Sequence, residues 1–109
     1  MPICTPCWKN CQQMIPAHAP DILERIKRRV EKGIDEIHLM SWNNGLLSAH
    51  TKEEFNLAIG WALQNNDKSG ILDLFGSCAP IVRPQECMIV PSQIEGYAKF
   101  GIDTLSVYY

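Results

Sequence analysis

Apolar side chains recur at helical spacing in three stretches of the chain, at about residues 20–32, 51–65 and 92–100. A repeat of three to four residues places apolar side chains on one side of an α-helix, so each stretch predicts an amphipathic helix. The stripe of the first helix consists of Ile22, Leu23, Ile26 and Val30. Each helix start pairs a capping residue with a glutamate three positions later: Asp21 with Glu24, Thr51 with Glu54, and Ser92 with Glu95.

The second stretch has the most regular pattern of the three. Its predicted buried face follows an i, i+3, i+4, i+7, i+8 repeat and consists of Phe55, Ala58, Ile59, Ala62 and Leu63. Leu57 and Trp61 lie off that face. Their positions predict that this helix is buried on more than one side.

Four shorter stretches predict strands, at residues 34–42, 46–50, 86–90 and 102–109. The last of them alternates apolar and polar side chains, which is the pattern of a strand buried on one face. The first two flank Asn44–Gly45, a pair that tolerates positive φ and favours a tight turn. We therefore expect residues 34–50 to form a hairpin.

Two peptides, KGIDEIHLM and FGIDTLSVY, share one local order: a helix end, then Gly-Ile-Asp, then a strand. Gly33 and Gly101 can each end a helix in the left-handed conformation. The shared order predicts two helix-to-strand connections of similar geometry that lead into one sheet.

These elements together predict a single-domain α+β fold. We expect a small mixed sheet of three to four strands packed by about three helices, with a further helical turn near Ile71–Phe75. Residues 1–19 are predicted to be a cysteine-bearing N-terminal loop, and residues 20–109 the core. A length of 109 residues is typical of one domain.

Composition excludes a few classes of protein. Hydrophobic residues make up 46% of the chain and charged residues 20%, which excludes wholesale disorder. No apolar run approaches the roughly 20 residues of a membrane helix, and the N-terminus lacks the features of a secretory signal. We therefore expect a cytoplasmic protein with no membrane partner. The net charge of −2 argues against a surface devoted to nucleic acid.

Five cysteines, at positions 4, 7, 11, 78 and 87, suggest thiol chemistry. An odd number without an export signal fits metal binding or redox chemistry better than a disulfide framework. The predicted metal ligands are Cys4, Cys7, Cys11 and His18, spaced as C-x2-C-x3-C-x6-H. Zinc suits such a mixed sulfur and nitrogen set, whereas an iron–sulfur cluster would take a fourth cysteine, Cys78 or Cys87. The alternative is that these thiols bind nothing.

The peptide Cys4-Thr5-Pro6-Cys7 resembles the CxPC active-site motif of the thioredoxin family. The resemblance implies thiol–disulfide exchange, in which a helix N-terminus lowers the pKa of the first thiol. That family has a strand before the motif and a helix that begins at it. Here only three residues precede the motif, and Pro16 and Pro20 interrupt the stretch that follows.

Half of the basic residues lie in the segment 25–32, which reads RIKRRVEK. The basic side chains on adjacent rows of the predicted helix are Arg25, Arg28, Arg29 and Lys32. Such a stripe can bind phosphates of a nucleic acid or an acidic protein surface. The alternative is a solvated helix face that Glu24 and Glu31 partly neutralise.

The remaining candidates are His38 and His50, which we interpret as structural histidines because no orienting carboxylate stands at a recognisable spacing. The leading hypothesis is a small non-enzymatic binding module with a structural zinc ion and another protein as partner. A redox enzyme that uses Cys4 and Cys7 is the first alternative, and binding of an anionic partner by the basic helix is the second. A homo-oligomer stays open, because Tyr108 and Tyr109 would end the chain on opposite faces of a strand.

Overall fold

The computed structural model describes residues 2–4, 16–42 and 45–107. In these residues at least one helix separates each strand from the next along the chain. The strands are β1 (Pro2–Cys4), β2 (Glu36–His38), β3 (Ile81–Val82) and β4 (Thr104–Leu105). The helices are α1 (Pro20–Glu31), α2 (Lys52–Leu63), α3 (Ile71–Phe75) and α4 (Ile94–Lys99), preceded by a helical turn at residues 16–18. The expected combination of helices with a small sheet is therefore confirmed.

The described strands pair in parallel throughout. β1 pairs with β2, and β3 pairs with β4. The two pairs are joined where Leu39 lies opposite Val82: the Leu39 amide donates to the Ile81 carbonyl (2.9 Å), and the Leu39 carbonyl accepts from the Arg83 amide (3.0 Å). The spatial order is β1-β2-β3-β4, the same as the order in the chain. Each crossover contains at least one helix, as parallel neighbours require.

The predicted hairpin around Asn44–Gly45 is wrong. Residues 46–50 contain a 3-10 helix, Leu47–Ala49, in place of a second strand. Leu47 is only 2% exposed, so its apolar character reflects burial in the connection to α2 rather than pairing in a sheet. The sheet of the described residues is consequently parallel, and the expected mixture of strand directions is not observed there.

The strand predicted at 86–90 is also wrong. A 3-10 turn, Gln85–Cys87, follows β3 and leads into residues that pair with no described strand. The flanking prolines give the physical reason, because Pro84 and Pro91 have no amide hydrogen to donate to a ladder. At the N-terminus a strand is present where none was predicted: residues 2–4, predicted to be loop, form β1.

The helix starts follow the predicted caps only in part. In α2 the Thr51 hydroxyl accepts from the Glu54 amide (3.2 Å) and the Glu54 carboxylate accepts from the Thr51 amide (3.0 Å), which is the predicted capping box. The N-cap of α1 is Ala19, without a side-chain cap. Pro20 follows it and has no amide hydrogen to satisfy. Helix α4 begins out of a 3-10 turn, Pro91–Gln93, and also lacks a side-chain cap.

The two Gly-Ile-Asp connections do share one geometry. Gly33 and Gly101 have φ of 71° and 81°. The Gly33 amide donates to the Val30 carbonyl (3.0 Å), and the Ile34 amide donates to the Arg29 carbonyl (2.9 Å). At the second connection the Gly101 amide donates to the Ala98 carbonyl and the Ile102 amide to the Tyr97 carbonyl, with the same spacing in the chain. This is the Schellman ending, in which a left-handed glycine reverses the chain out of a helix. The following strands, β2 and β4, both pair with the β3 segment.

The core lies between α2 and the sheet. Four of the five residues predicted for the buried face of α2 are buried: Phe55, Ala58, Ile59 and Ala62. They pack in one cluster with Ile37, Leu39 and Val82 of the sheet and Tyr97 of α4. Leu57 and Trp61 are 51% and 50% exposed, so the prediction that α2 is buried on several sides is wrong. None of the described helices has the length and apolar content needed to cross a bilayer.

Candidate functional site at the carboxyl edge of the sheet

Parallel strands bring their carboxyl ends to one edge of a sheet, and α/β proteins bind ligands outside that edge. In this chain β1 ends at Cys4, whose Cα is the register partner of His38 at the end of β2. β3 continues into Arg83 and Pro84, which lead to the turn Gln85–Cys87. The cysteine-rich peptide thus begins at the carboxyl edge, on the strand next to His38.

His38 forms a pair with Glu36 on the same strand. The His38 Nε2 atom lies 2.6 Å from Glu36 Oε1, and the two side chains are 11% and 58% exposed. Residues two apart on a strand project from the same face, so the carboxylate can orient the imidazole. Acid–base and metal-ligating histidines are commonly oriented in this way. The interpretation that His38 has no orienting carboxylate is therefore wrong, and the i, i+2 spacing on a predicted strand was the signal that could have revealed it.

The turn after β3 has an unusual backbone. Glu86 and Cys87 have φ of 54° and 55°, so two consecutive residues with side chains adopt left-handed conformations. The Cys87 amide donates to the Pro84 carbonyl (3.0 Å) and the Met88 amide to Gln85 (3.1 Å), which holds the turn. Such conformations cost about 1–3 kcal/mol each and concentrate at functional sites. The turn sets Glu86 and Cys87 just beyond β3, and no feature of the sequence indicated it.

Cys78 lies at the opposite edge, three residues before β3. Its thiol is within 3.4 Å of the Ala79 carbonyl and 3.6 Å of the Ile37 carbonyl. Burial raises the pKa of Cys78 to about 11, so this thiol stays protonated at neutral pH. Of the two cysteines considered as a fourth cluster ligand, Cys87 is thus at the same edge as Cys4, and Cys78 is not.

The other predicted metal ligands are placed as follows. His18 lies in the helical turn at 16–18 and is exposed. Cys4 ends β1, and Cys7 and Cys11 lie outside the described residues. Within residues 2–4, 16–42 and 45–107, no three His, Cys, Asp or Glu side chains are grouped so that they could hold a metal ion. Tyr108 and Tyr109 also lie outside the described residues.

The basic stripe of α1 divides into two kinds of residue. Arg25, Arg28 and Lys32 are exposed, and Arg28 Nε is 3.9 Å from Glu24 Oε1. Arg29 instead donates from Nε and Nη2 to the two carboxylate oxygens of Asp35, at 2.6 and 3.0 Å. The Arg29 hydrogen bond, above other causes, lowers the pKa of Asp35 to about 2. The Asp35 side chain is only 4% exposed, so Arg29, whose own side chain is 51% exposed, compensates a buried charge in addition to lying on the solvated stripe.

No protein-family model matches this chain, and no curated protein matches it. Among solved structures, the chain is similar to the crystal structure of 4-alpha-glucanotransferase from Thermococcus litoralis. The TM-score is 0.71 and the sequence identity 22%, over 85% of this chain. The chain spans about 14% of the length of that glucanotransferase. At this identity, the likeness concerns the arrangement of strands and helices alone.

Proposed function

We propose that this chain is a small binding module in which the N-terminal cysteine peptide holds a structural zinc ion at the carboxyl edge of the sheet. The observation that carries the proposal is the position of β1. Because β1 ends at Cys4, the C-x2-C-x3-C peptide begins at the carboxyl edge of the sheet, outside which parallel sheets bind their ligands. A metal there would anchor this peptide against the sheet, next to His38.

The proposed ligands are those of the sequence pattern, Cys4, Cys7, Cys11 and His18. Three thiolates and an imidazole suit zinc by their chemistry, and the exposure of His18 leaves its ring accessible. If the fourth ligand is a cysteine instead, Cys87 is favoured over Cys78, because Cys87 lies at the same edge as Cys4, whereas the Cys78 thiol lies at the opposite edge and donates to the Ile37 and Ala79 carbonyls.

Metal content of the purified protein tests this proposal. We expect about one zinc per chain under reducing conditions without chelator, and an affinity that falls with acid because thiolates must replace thiols. Cys7→Ser should abolish stoichiometric zinc, whereas Cys78→Ser, the matched control, should retain it. Loss of zinc in His18→Ala would identify the Cys3His site, and loss in Cys87→Ser a Cys4 site. Wild-type protein without zinc or iron would overturn the proposal.

A second candidate is thiol–disulfide exchange by Cys4 and Cys7. It is favoured by the observation that Pro2–Cys4 is a strand, because the thioredoxin family has a strand directly before its motif. Turnover of a model disulfide by metal-free protein, lost in Cys4→Ser, would support this candidate. We expect no turnover if zinc is structural.

A third candidate is binding of an acidic protein, or more weakly of a nucleic acid, by the exposed side of α1. Arg25, Arg28 and Lys32 would supply the charge, while Arg29 is engaged with Asp35. Affinity that falls steeply with salt and with Arg25→Glu/Arg28→Glu would support it. We further propose a cytoplasmic location, where the thiols stay reduced.

A further inference from the structure

A pocket lined by two tryptophans lies on the outer side of α2. Its volume is about 440 Å³, and its lining residues are Trp42, His50, Glu54, Leu57, Ala58 and Trp61. We refer to it as the tryptophan pocket. The Trp42 amide donates to the Ala58 carbonyl at 3.3 Å, which attaches the segment after β2 to the middle of α2. The two walls of the pocket are thus held together by the backbone.

Three of the four α2 residues that line the pocket, Glu54, Leu57 and Trp61, lie outside the core, and the fourth, Ala58, belongs to it. Glu54, Leu57 and Trp61 recur at i, i+3 and i+7 and therefore share one side of α2. Leu57 is 51% exposed and Trp61 50% exposed, although both are large apolar side chains. The buried side of the same helix is formed by Phe55, Ala58, Ile59 and Ala62, so the packing of α2 does not require either of them. Both remain available to a ligand.

The charge of the pocket comes from Glu54. Among the described lining residues, Glu54 and His50 are the two with ionisable side chains, and Glu54 is the acidic one. The capping box holds its carboxylate in place through Oε2, which accepts from the Thr51 amide at 3.0 Å. Oε1 has no hydrogen bond within the described residues. A second polar atom of the pocket, His50 Nδ1, is buried and has no hydrogen-bond partner in the described part of the chain. Of these two atoms the His50 Nδ1 atom, which is buried, is the one that calls for an explanation.

Indole faces carry partial negative charge and attract cations, most strongly when the cation is weakly hydrated. A carboxylate beside two indoles therefore favours a cation with an apolar shell over a metal ion or an uncharged ligand. We propose that the tryptophan pocket binds a methylated ammonium group, with the indoles of Trp42 and Trp61 against the methyl groups and Glu54 facing the charge. This site is independent of the zinc proposal, because none of the described residues that line the pocket is a cysteine.

Titration with tetramethylammonium, followed by tryptophan fluorescence at constant ionic strength, tests the proposal. We expect saturable binding by the wild-type chain and none by Trp61→Ala. The neutral analogue of choline, 3,3-dimethyl-1-butanol, has the same shape as choline without its charge and should bind on the order of tenfold more weakly than choline. Equal binding of the two, or no binding of any methylated ammonium probe, would overturn the proposal.

Glu54→Gln is the sharper variant, because glutamine can still complete the capping box. It should keep the thermal stability of the chain and weaken tetramethylammonium binding by roughly tenfold. Glu53→Gln, which changes the neighbouring exposed carboxylate outside the pocket, should leave binding unchanged. Equal loss in both variants would show a diffuse charge effect and overturn the assignment. Choline and a trimethyllysine peptide, titrated separately, distinguish a small metabolite from a modified protein as the source of the group.

Discussion

Phe55 is the buried aromatic residue of α2. It is 2% exposed, and its ring meets that of Tyr97 edge-to-face, with 4.9 Å between centroids and an angle of 77°. We expect Phe55→Ala to lower the free energy of unfolding by about 3–5 kcal/mol, because it removes a buried aromatic and leaves a cavity. Urea denaturation measures this loss. Leu57→Ala, on the exposed side of the same helix, should cost far less, about 0.5 kcal/mol; similar losses would contradict the observed burial.

Asp35 gives the chain a predictable response to acid. Its pKa in the folded protein is lowered to about 2 from an ordinary 3.8, chiefly by Arg29. A lowered folded-state pKa means that the carboxylate contributes stability above pH 4 and that this contribution is lost as the pH falls from about 4 to about 2. Urea midpoints should therefore fall more steeply over this range in the wild type than in Asp35→Asn. Chelator in both samples excludes an effect of metal release, and parallel curves would contradict the prediction.

The same ion pair separates the arginines of α1. Arg25→Glu/Arg28→Glu should leave the urea midpoint nearly unchanged, because both side chains are exposed. Adding Arg29→Glu should lower it clearly, because a carboxylate would then face the buried Asp35 side chain. A triple variant as stable as the double variant would show that Asp35 does not depend on Arg29.

At the scale of helices, Gly60 and Gly96 are expected to respond in opposite directions to substitution by alanine. A Cβ at Gly96 of α4 would lie 2.7 Å from Cε1 of the Phe55 ring, whereas at Gly60 of α2 the nearest atom is 4.0 Å away. Gly60→Ala should therefore stabilise the chain by roughly 0.5–1 kcal/mol, since alanine loses less backbone entropy in a helix. Gly96→Ala should destabilise it by about 1–3 kcal/mol through overpacking. Thermal unfolding of the two variants measures both signs, and a shift of equal sign would contradict the close contact of α4 with Phe55.

Helices were predictable where their determinants are local. The capping box of Thr51 and Glu54 and the i, i+3, i+4 face of α2 depend on neighbours in the chain, and both are observed. So are the turn Ile71–Phe75 and the two glycine endings. The caps of α1 failed because Pro20 can start a helix without one. The exposure of Leu57 and Trp61 could not be derived, since it depends on which side of α2 meets the sheet.

At the scale of the whole molecule, strand pairing is decided by distant segments. Asn44–Gly45 suggested a local partner for β2, but the partners are β1 and the β3 segment, each separated from β2 by helices. Two-residue and three-residue strands also contain too little alternation to be recognised. The candidate site could be predicted from the sequence only in part. The pair of Glu36 with His38 follows from a period of two, whereas the left-handed turn at Glu86 and Cys87 has neither glycine nor asparagine to indicate it.

The order β1-β2-β3-β4 has a consequence for how the chain is made. Ribosomes release a protein from its N-terminus, and each described strand here pairs with the one that emerged just before it. Each later strand can therefore meet its neighbour as soon as that strand itself has left the exit tunnel, and none of the described strands has to stay unpaired until a much later segment arrives. Folding during synthesis is favoured when contacts form in this sequence. The same order allows β1 and β2 to come together while the residues that follow them are still being translated.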